Sequence, residues 1–184
     1  MSLTPTKLLT ADGLLAMGDI GRCELIYGEL VMVSFAGFRH GEVTARIGWL
    51  LEEFVEQHEL GLTFACGTGF RIAENPDTVR APDVSFVFKG RVPRVLPQGF
   101  FEGPPDLAVE VISPGESTRE VNEKVNMWLA SGVQSVWVAQ PATMSVSVHR
   151  TGEKAVVFQA GSSLSDPEIL PGFELSLSRV FKKP

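Results

Sequence analysis

Half-cystine chemistry, tyrosine and histidine are all scarce in this chain. Its 184 residues include two cysteines, one tyrosine and three histidines. Cys23 and Cys66 are too few for a disulfide scaffold, and no CxxC or Cys/His spacing marks a zinc site. His40, His58 and His149 form no ligand pattern. No apolar run approaches the ~20 residues a membrane-spanning helix needs. Met1 to Lys7 lacks the charged and apolar segments of a signal peptide, so a cytoplasmic protein with no membrane partner is expected. Basic charge is also short: 16 Lys and Arg against 22 Asp and Glu give a net charge of -6. That counts against a simple nucleic-acid coat protein, which would normally be basic. It leaves room for an enzyme whose acidic residues serve a metal.

What is present is an ordinary globular balance, 44% hydrophobic and 21% charged, with no repeat, linker or low-complexity tract. The length suits one domain spanning residues 1–184. Thr10 to Met17 reads as a short helix, and Cys23 to Phe35 as a hairpin turning at Tyr27-Gly28. His40 to about His58 is a long helix with Val43, Ile47, Leu50, Leu51 and Phe54 on one face. Leu62 to Ala73 reads as one strand bent at Gly67 and Gly69, and Asp83 to Lys89 as another. Gly90 to Pro105 reads as a loop. Asp106 to Ser113 is almost wholly apolar, as a strand covered on both faces should be. A helix capped by Ser117 or Thr118 then runs to about Ser131. Gln134 to Ala139 is a further buried strand. Met144 to His149 and Ala155 to Gln159 form a late hairpin, and Ser178 to Phe181 a final turn. The order predicts an α/β (α+β) fold: a mixed sheet flanked by helices, extended by N-terminal and C-terminal hairpins.

Glu110 is the most informative residue, a carboxylate inside Leu107-Ala108-Val109-Glu110-Val111-Ile112. Burying that charge is costly without a partner. The partner is either a nearby Arg or Lys or a divalent cation, and the cation is the better fit to several carboxylates held together. Asp83 opens a neighbouring strand and can approach Glu110. Asp106 lies four residues from Glu110 on its own strand, roughly 13 Å, too far to share an ion. Lys124 falls on the edge of the apolar stripe made by Val121, Val125, Trp128 and Leu129, so its head can reach the sheet or snorkel to solvent. Glu120, one turn earlier, is placed to pair with it. Glu42 and Arg46 flank the stripe of the first long helix, with His40 on its other edge. Such groups are most often solvated.

These segments together resemble the Uma-two family of restriction-type endonucleases in the PD-(D/E)XK superfamily. The resemblance rests on Cys23-Glu24-Leu25-Ile26-Tyr27-Gly28-Glu29-Leu30, Arg80-Ala81-Pro82-Asp83-Val84, Pro105 through Pro114 and Gly132 through Val138. It runs in order from about residue 10 to residue 180. It implies a restriction-endonuclease-like fold, catalytic Asp83 and Glu110, and Mg²⁺ or Mn²⁺ held by both and by the Val111 carbonyl. The superfamily lysine, two residues after the glutamate, is Ile112 here, and Lys124 on the next helix would replace it. Glu120 and Glu42 would be auxiliary acids. DNA is the implied substrate, cut to leave a 5′-phosphate, and a homodimer is implied. The chain departs from the family at Tyr27, Gln140 and Trp128-Leu129. A nuclease fold kept as an inactive binding or dimerisation module is the alternative reading.

Overall fold

A computed structural model describes residues 8–95 and 97–182. The N-terminal segment Met1 to Lys7 lies outside them. Helix α1 (Ala11–Ala16) is capped by the Thr10 side chain, which accepts from the Gly13 N–H. Strands β1 (Cys23–Ile26) and β2 (Glu29–Met32) form the expected hairpin. Its two turn residues, Tyr27 and Gly28, have φ of 51° and 79°, the positive pair of a type I′ turn. Tyrosine carries a steric penalty in that region that asparagine largely escapes. Tyr27→Asn should therefore stabilise the protein by about 1 kcal/mol, read as a higher urea midpoint at unchanged slope.

Helix α2 (Phe38–Gln57) buries Val43, Ile47, Leu50 and Leu51 as the sequence spacing predicts, but Val55 takes the fully buried place expected of Phe54, which is only partly buried. The stretch after it differs from expectation. Instead of one bent strand there are two, β3 (Gly61–Ala65) and β4 (Phe70–Ala73), and they belong to different sheets. The break is at Gly67, with φ of 95°, and at Gly69, where a Cβ would sit 2.4 Å from Phe100 Cδ1. Glycine at both positions lets the chain leave one sheet and enter the other.

Next come β5 (Thr78–Arg80), β6 (Val84–Phe88) and β7 (Phe101–Glu102), followed by β8 (Leu107–Val111) and α3 (Thr118–Ala130). The chain ends with β9 (Ser135–Gln140), β10 (Ser145–His149), β11 (Val156–Phe158), β12 (Ser163–Ser165), β13 (Glu174–Ser176) and α4 (Leu177–Val180). The segment expected to be a loop up to Pro105 thus contains β7. One mixed sheet runs β11-β10-β9-β8-β6-β3, a second runs β2-β1-β5-β4-β7, and β12 pairs with β13. The early strands build this second sheet rather than extending the first. Among the described residues, no helix is long and apolar enough to cross a membrane.

Strand β8 is central, antiparallel to β6 and parallel to β9. The parallel pair requires a crossover, which α3 supplies. Leu107, Val109 and Val111 face α2 and pack with Val43, Ile47 and Leu51. Ala108 faces α3 and packs with Val125 and Trp128. Side chains alternate along a strand, so Glu110 points to the α3 side.

Candidate active site

Asp83 sits just before β6, and it grips β8 on either side of Glu110. Its own N–H donates to the Val109 carbonyl at 3.0 Å, while its Oδ2 accepts the Val111 N–H at 2.8 Å. Backbone and side chain of one residue thus bracket the glutamate.

Glu110 keeps only 12% of its side-chain surface. Its Oε1 accepts the Trp128 indole N–H at 2.7 Å, and Lys124 Nζ stands 3.7 Å from Oε2. Burial pushes its pKa to about 7 against the pull of Lys124, and Asp83 adds to the rise. A single neutral donor and a lysine beyond hydrogen-bond range do not offset its desolvation. Lys124 has a firmer hold on Glu116, at 2.7 Å from Oε1. Burial lowers the lysine's pKa, but Glu110 and Glu116 outweigh that and raise it, so it is a cation at neutral pH.

Asp83, Glu110, Val111, Glu116 and Lys124 line one cleft of about 630 Å³, together with Arg22 and Arg80. The structure therefore brings Asp83, Glu110, Val111 and Lys124 together. It does not bring Glu42 to them: that carboxylate faces Arg39 at 2.5 Å and Arg46 at 2.7 Å on its own helix. Glu120 reaches the cleft rim but does not pair with Lys124. Its carboxylate completes a capping box with Ser117, and the two bonds from Ser117 hold its pKa below the usual carboxylate range. Capping satisfies amide groups that the helix leaves unpaired, and it takes the glutamate away from the lysine.

Three residues of the site escaped the sequence reading. His40 is not solvated but 8% exposed, with Nε2 3.1 Å from Asp83 Oδ2. That hydrogen bond raises its pKa despite burial. Its spacing, three residues ahead of Val43, was the available signal. Trp128 counted only as an apolar member of its stripe, although indole is an obligate donor. Glu116 lies in the turn after Pro114, where its Oε2 accepts the Ser113 N–H at 2.7 Å. Cys66 also approaches, with Sγ 3.8 Å from Asp83 Oδ1. Burial raises its pKa, helped by Asp83.

Asp106, set aside as too far from Glu110 to share an ion, proves to be architectural. Asp106 accepts from the Phe88 N–H at 2.8 Å and from Gln134 at 2.7 Å, and it pairs with Arg91 at 2.9 Å.

The residues that could hold a divalent cation are Asp83 and Glu110, with oxygen donors of the kind Mg²⁺ and Mn²⁺ prefer. Among the described residues, no three Asp, Glu, His or Cys side chains converge as a closed cage. Mg²⁺ commonly binds through one or two carboxylates and leaves its other positions to water and phosphate. A cation here would add to the counter-charge that Lys124 alone supplies to Glu110 from 3.7 Å. The donor set fits such an ion.

Comparison with known proteins bears on the family and the fold. The model of the Uma2 family, described as "Putative restriction endonuclease", matches residues 11–178. Among solved structures, the chain resembles the crystal structure of "a putative nuclease belonging to DUF820" from Anabaena variabilis. The TM-score is 0.81 at 21% identity, covering 94% of this chain and 97% of the other. That likeness establishes a shared fold. No curated protein matches.

Proposed function

The chain belongs to the Uma2 family, and from that premise we propose that it is a Mg²⁺- or Mn²⁺-dependent endonuclease hydrolysing phosphodiester bonds in DNA. The observation that carries the proposal is the convergence of Asp83, Glu110 and Lys124 in one cleft, with Asp83 fastened on both sides of Glu110. Asp83, Glu110 and the Val111 carbonyl would hold the ion. When bound, it would polarise the scissile phosphate and lower the pKa of a water.

The chain's own residues then divide the remaining work. Trp128 fixes one oxygen of Glu110 and leaves the other toward Lys124. The Asp83 carboxylate is oriented by the Val111 N–H and by His40. Lys124 is held at the cleft wall by Glu116. Because it stays protonated, Lys124 serves as a donor rather than a base. It would stabilise the charge that builds on the phosphate oxygens as the attacking water arrives.

Cleavage of plasmid or oligonucleotide DNA should require Mg²⁺ or Mn²⁺ and stop with chelator. Lys124→Ala should slow single-turnover cleavage by roughly 10²–10³-fold, the usual effect of removing one charge-stabilising donor. Its Mn²⁺ affinity should change far less, since lysine is not a ligand. Wild-type rates in Lys124→Ala would remove it from the chemistry. Anomalous scattering from a Mn²⁺-soaked crystal should place the ion between Asp83 and Glu110, and a site elsewhere would sink the assignment. An ion bound there with no cleavage of any DNA would mark the inactive binding module instead.

A further inference from the structure

The outer edge of β2 continues into a long uncharged run. From Leu30 to Phe38 the chain reads Leu-Val-Met-Val-Ser-Phe-Ala-Gly-Phe, with no charged residue in a protein of net charge -6. Its apolar side chains are exposed. Leu30, Val31 and Val33 keep about two-fifths of their surface, Met32 keeps 60%, Phe35 94% and Phe38 89%. Strand β2 is the end strand of its sheet, and no described strand lies beyond it.

Edge strands are normally blunted by lysine, proline, a bulge or a covering loop. Among the described residues, β2 carries no lysine, proline or bulge from Glu29 to Met32, and Glu29 at its start is its one charge. The hairpin register fixes which backbone groups are spare. Val33 donates its N–H to the Arg22 carbonyl at 2.9 Å, and in an antiparallel ladder the bonded residues alternate. Glu29, Val31 and Val33 therefore direct their amides and carbonyls toward β1, while Leu30 and Met32 direct theirs outward.

We infer that β2 is the interface between two copies of this chain, joined edge to edge as antiparallel strands. The spare groups of Leu30 and Met32 are two residues apart, so each copy offers the spacing that the other needs. Leu30 of one copy bonds Met32 of the second, and the reverse. The two-fold axis then passes between the Val31 residues, which face each other as a non-bonded pair. The contact is isologous and closes at two copies. Its occupant is a second copy rather than a nucleic acid because the patch has no cation to meet phosphate. Two chains of net charge -6 can approach with least repulsion where neither carries charge. The inference does not depend on the nuclease reading. It also touches the cleft, because Val33, Ser34 and Phe35 continue from the strand into the cleft wall.

Light scattering of the full chain at about 50 µM tests this. A mass of twice 20.0 kDa is expected, falling to the monomer in Val31→Lys with circular dichroism unchanged. In a background of Cys23→Ser and Cys66→Ser, Val31→Cys should give a covalent dimer on mild oxidation. Non-bonded antiparallel pairs have Cα atoms about 4.5 Å apart, within disulfide range. Leu30→Cys should not cross-link, because its counterpart is Met32. A monomer at that concentration overturns the inference, whatever the protein cleaves. So does a dimer indifferent to Val31→Lys, or one that cross-links through Leu30→Cys and not through Val31→Cys.

Discussion

In chelator at pH 8, Glu110→Gln should be more stable than wild type, and the gap should close as the pH falls to 5. The folded pKa of Glu110 is about 7 against an ordinary 4.5, with burial the principal cause. The folded state therefore holds this proton more tightly than the unfolded chain does. The stability it lends is complete below pH 4.5 and is lost as the pH rises through 7. A shift of that size corresponds to about 3 kcal/mol at alkaline pH. Glutamine keeps the shape and can still accept the Trp128 N–H, but it cannot ionise. For a protein of this length the difference is on the order of 10 °C in melting temperature. Mn²⁺ should reverse the ranking, because preferential binding to the folded state stabilises wild type and the variant has lost a ligand. If Glu110→Gln melts well below wild type in chelator at pH 8, the glutamate is held by Lys124 as a structural ion pair.

The placement of Asp83, Glu110 and Lys124 in one cleft was legible because it follows from short-range patterns. An apolar strand interrupted by one carboxylate names both β8 and Glu110. The helix period places Lys124 at the edge of its stripe, and the βαβ crossover then carries that edge over Glu110. Asp83 was legible through the start of its strand.

Beyond its β1–β2 hairpin the second sheet was not legible, and the reason is physical. Strands β4, β5 and β7 contain four, three and two residues, too short for alternation to register. Their partners are also distant in sequence, as with Leu25 and Val79. Polar groups fared worse, because their roles depend on tertiary neighbours. Glu42 and Glu120 were both on the right helices, yet local arginines took the first and the helix end took the second. His40 had the weaker pattern and reached Asp83 because Gly37 starts α2 early enough to turn the imidazole inward.

The sharpest contrast is between Glu110 and Asp166, a buried acid that no sequence pattern singled out. Asp166 is fully buried, and its donors are complete. Ser135 Oγ and Trp137 Nε1 reach Oδ2 at 2.6 and 2.8 Å, and Arg150 pairs with Oδ1. Its carbonyl accepts the Leu170 N–H at 2.8 Å. This aspartate ties β9 and the end of β10 to the C-terminal segment. Asp166→Asn removes one charge, as Glu110→Gln does, but the sign should be opposite. It leaves the Arg150 guanidinium, which is 15% exposed, with only Glu153 and the more distant Glu168 as partners among the described residues, and it turns an amide N–H toward Arg150 or Trp137, which can only donate. Breaking such a pair costs roughly 3–5 kcal/mol, so Asp166→Asn should melt on the order of 10 °C below wild type, with Mn²⁺ stabilising both alike. A variant as stable as wild type would show that the network adds nothing to the fold. The two substitutions, compared in chelator, separate a carboxylate kept for a ligand from one kept for the structure. The first is buried with one neutral donor and a lysine at 3.7 Å, while both carboxylate oxygens of the second are matched by close donors from its own chain.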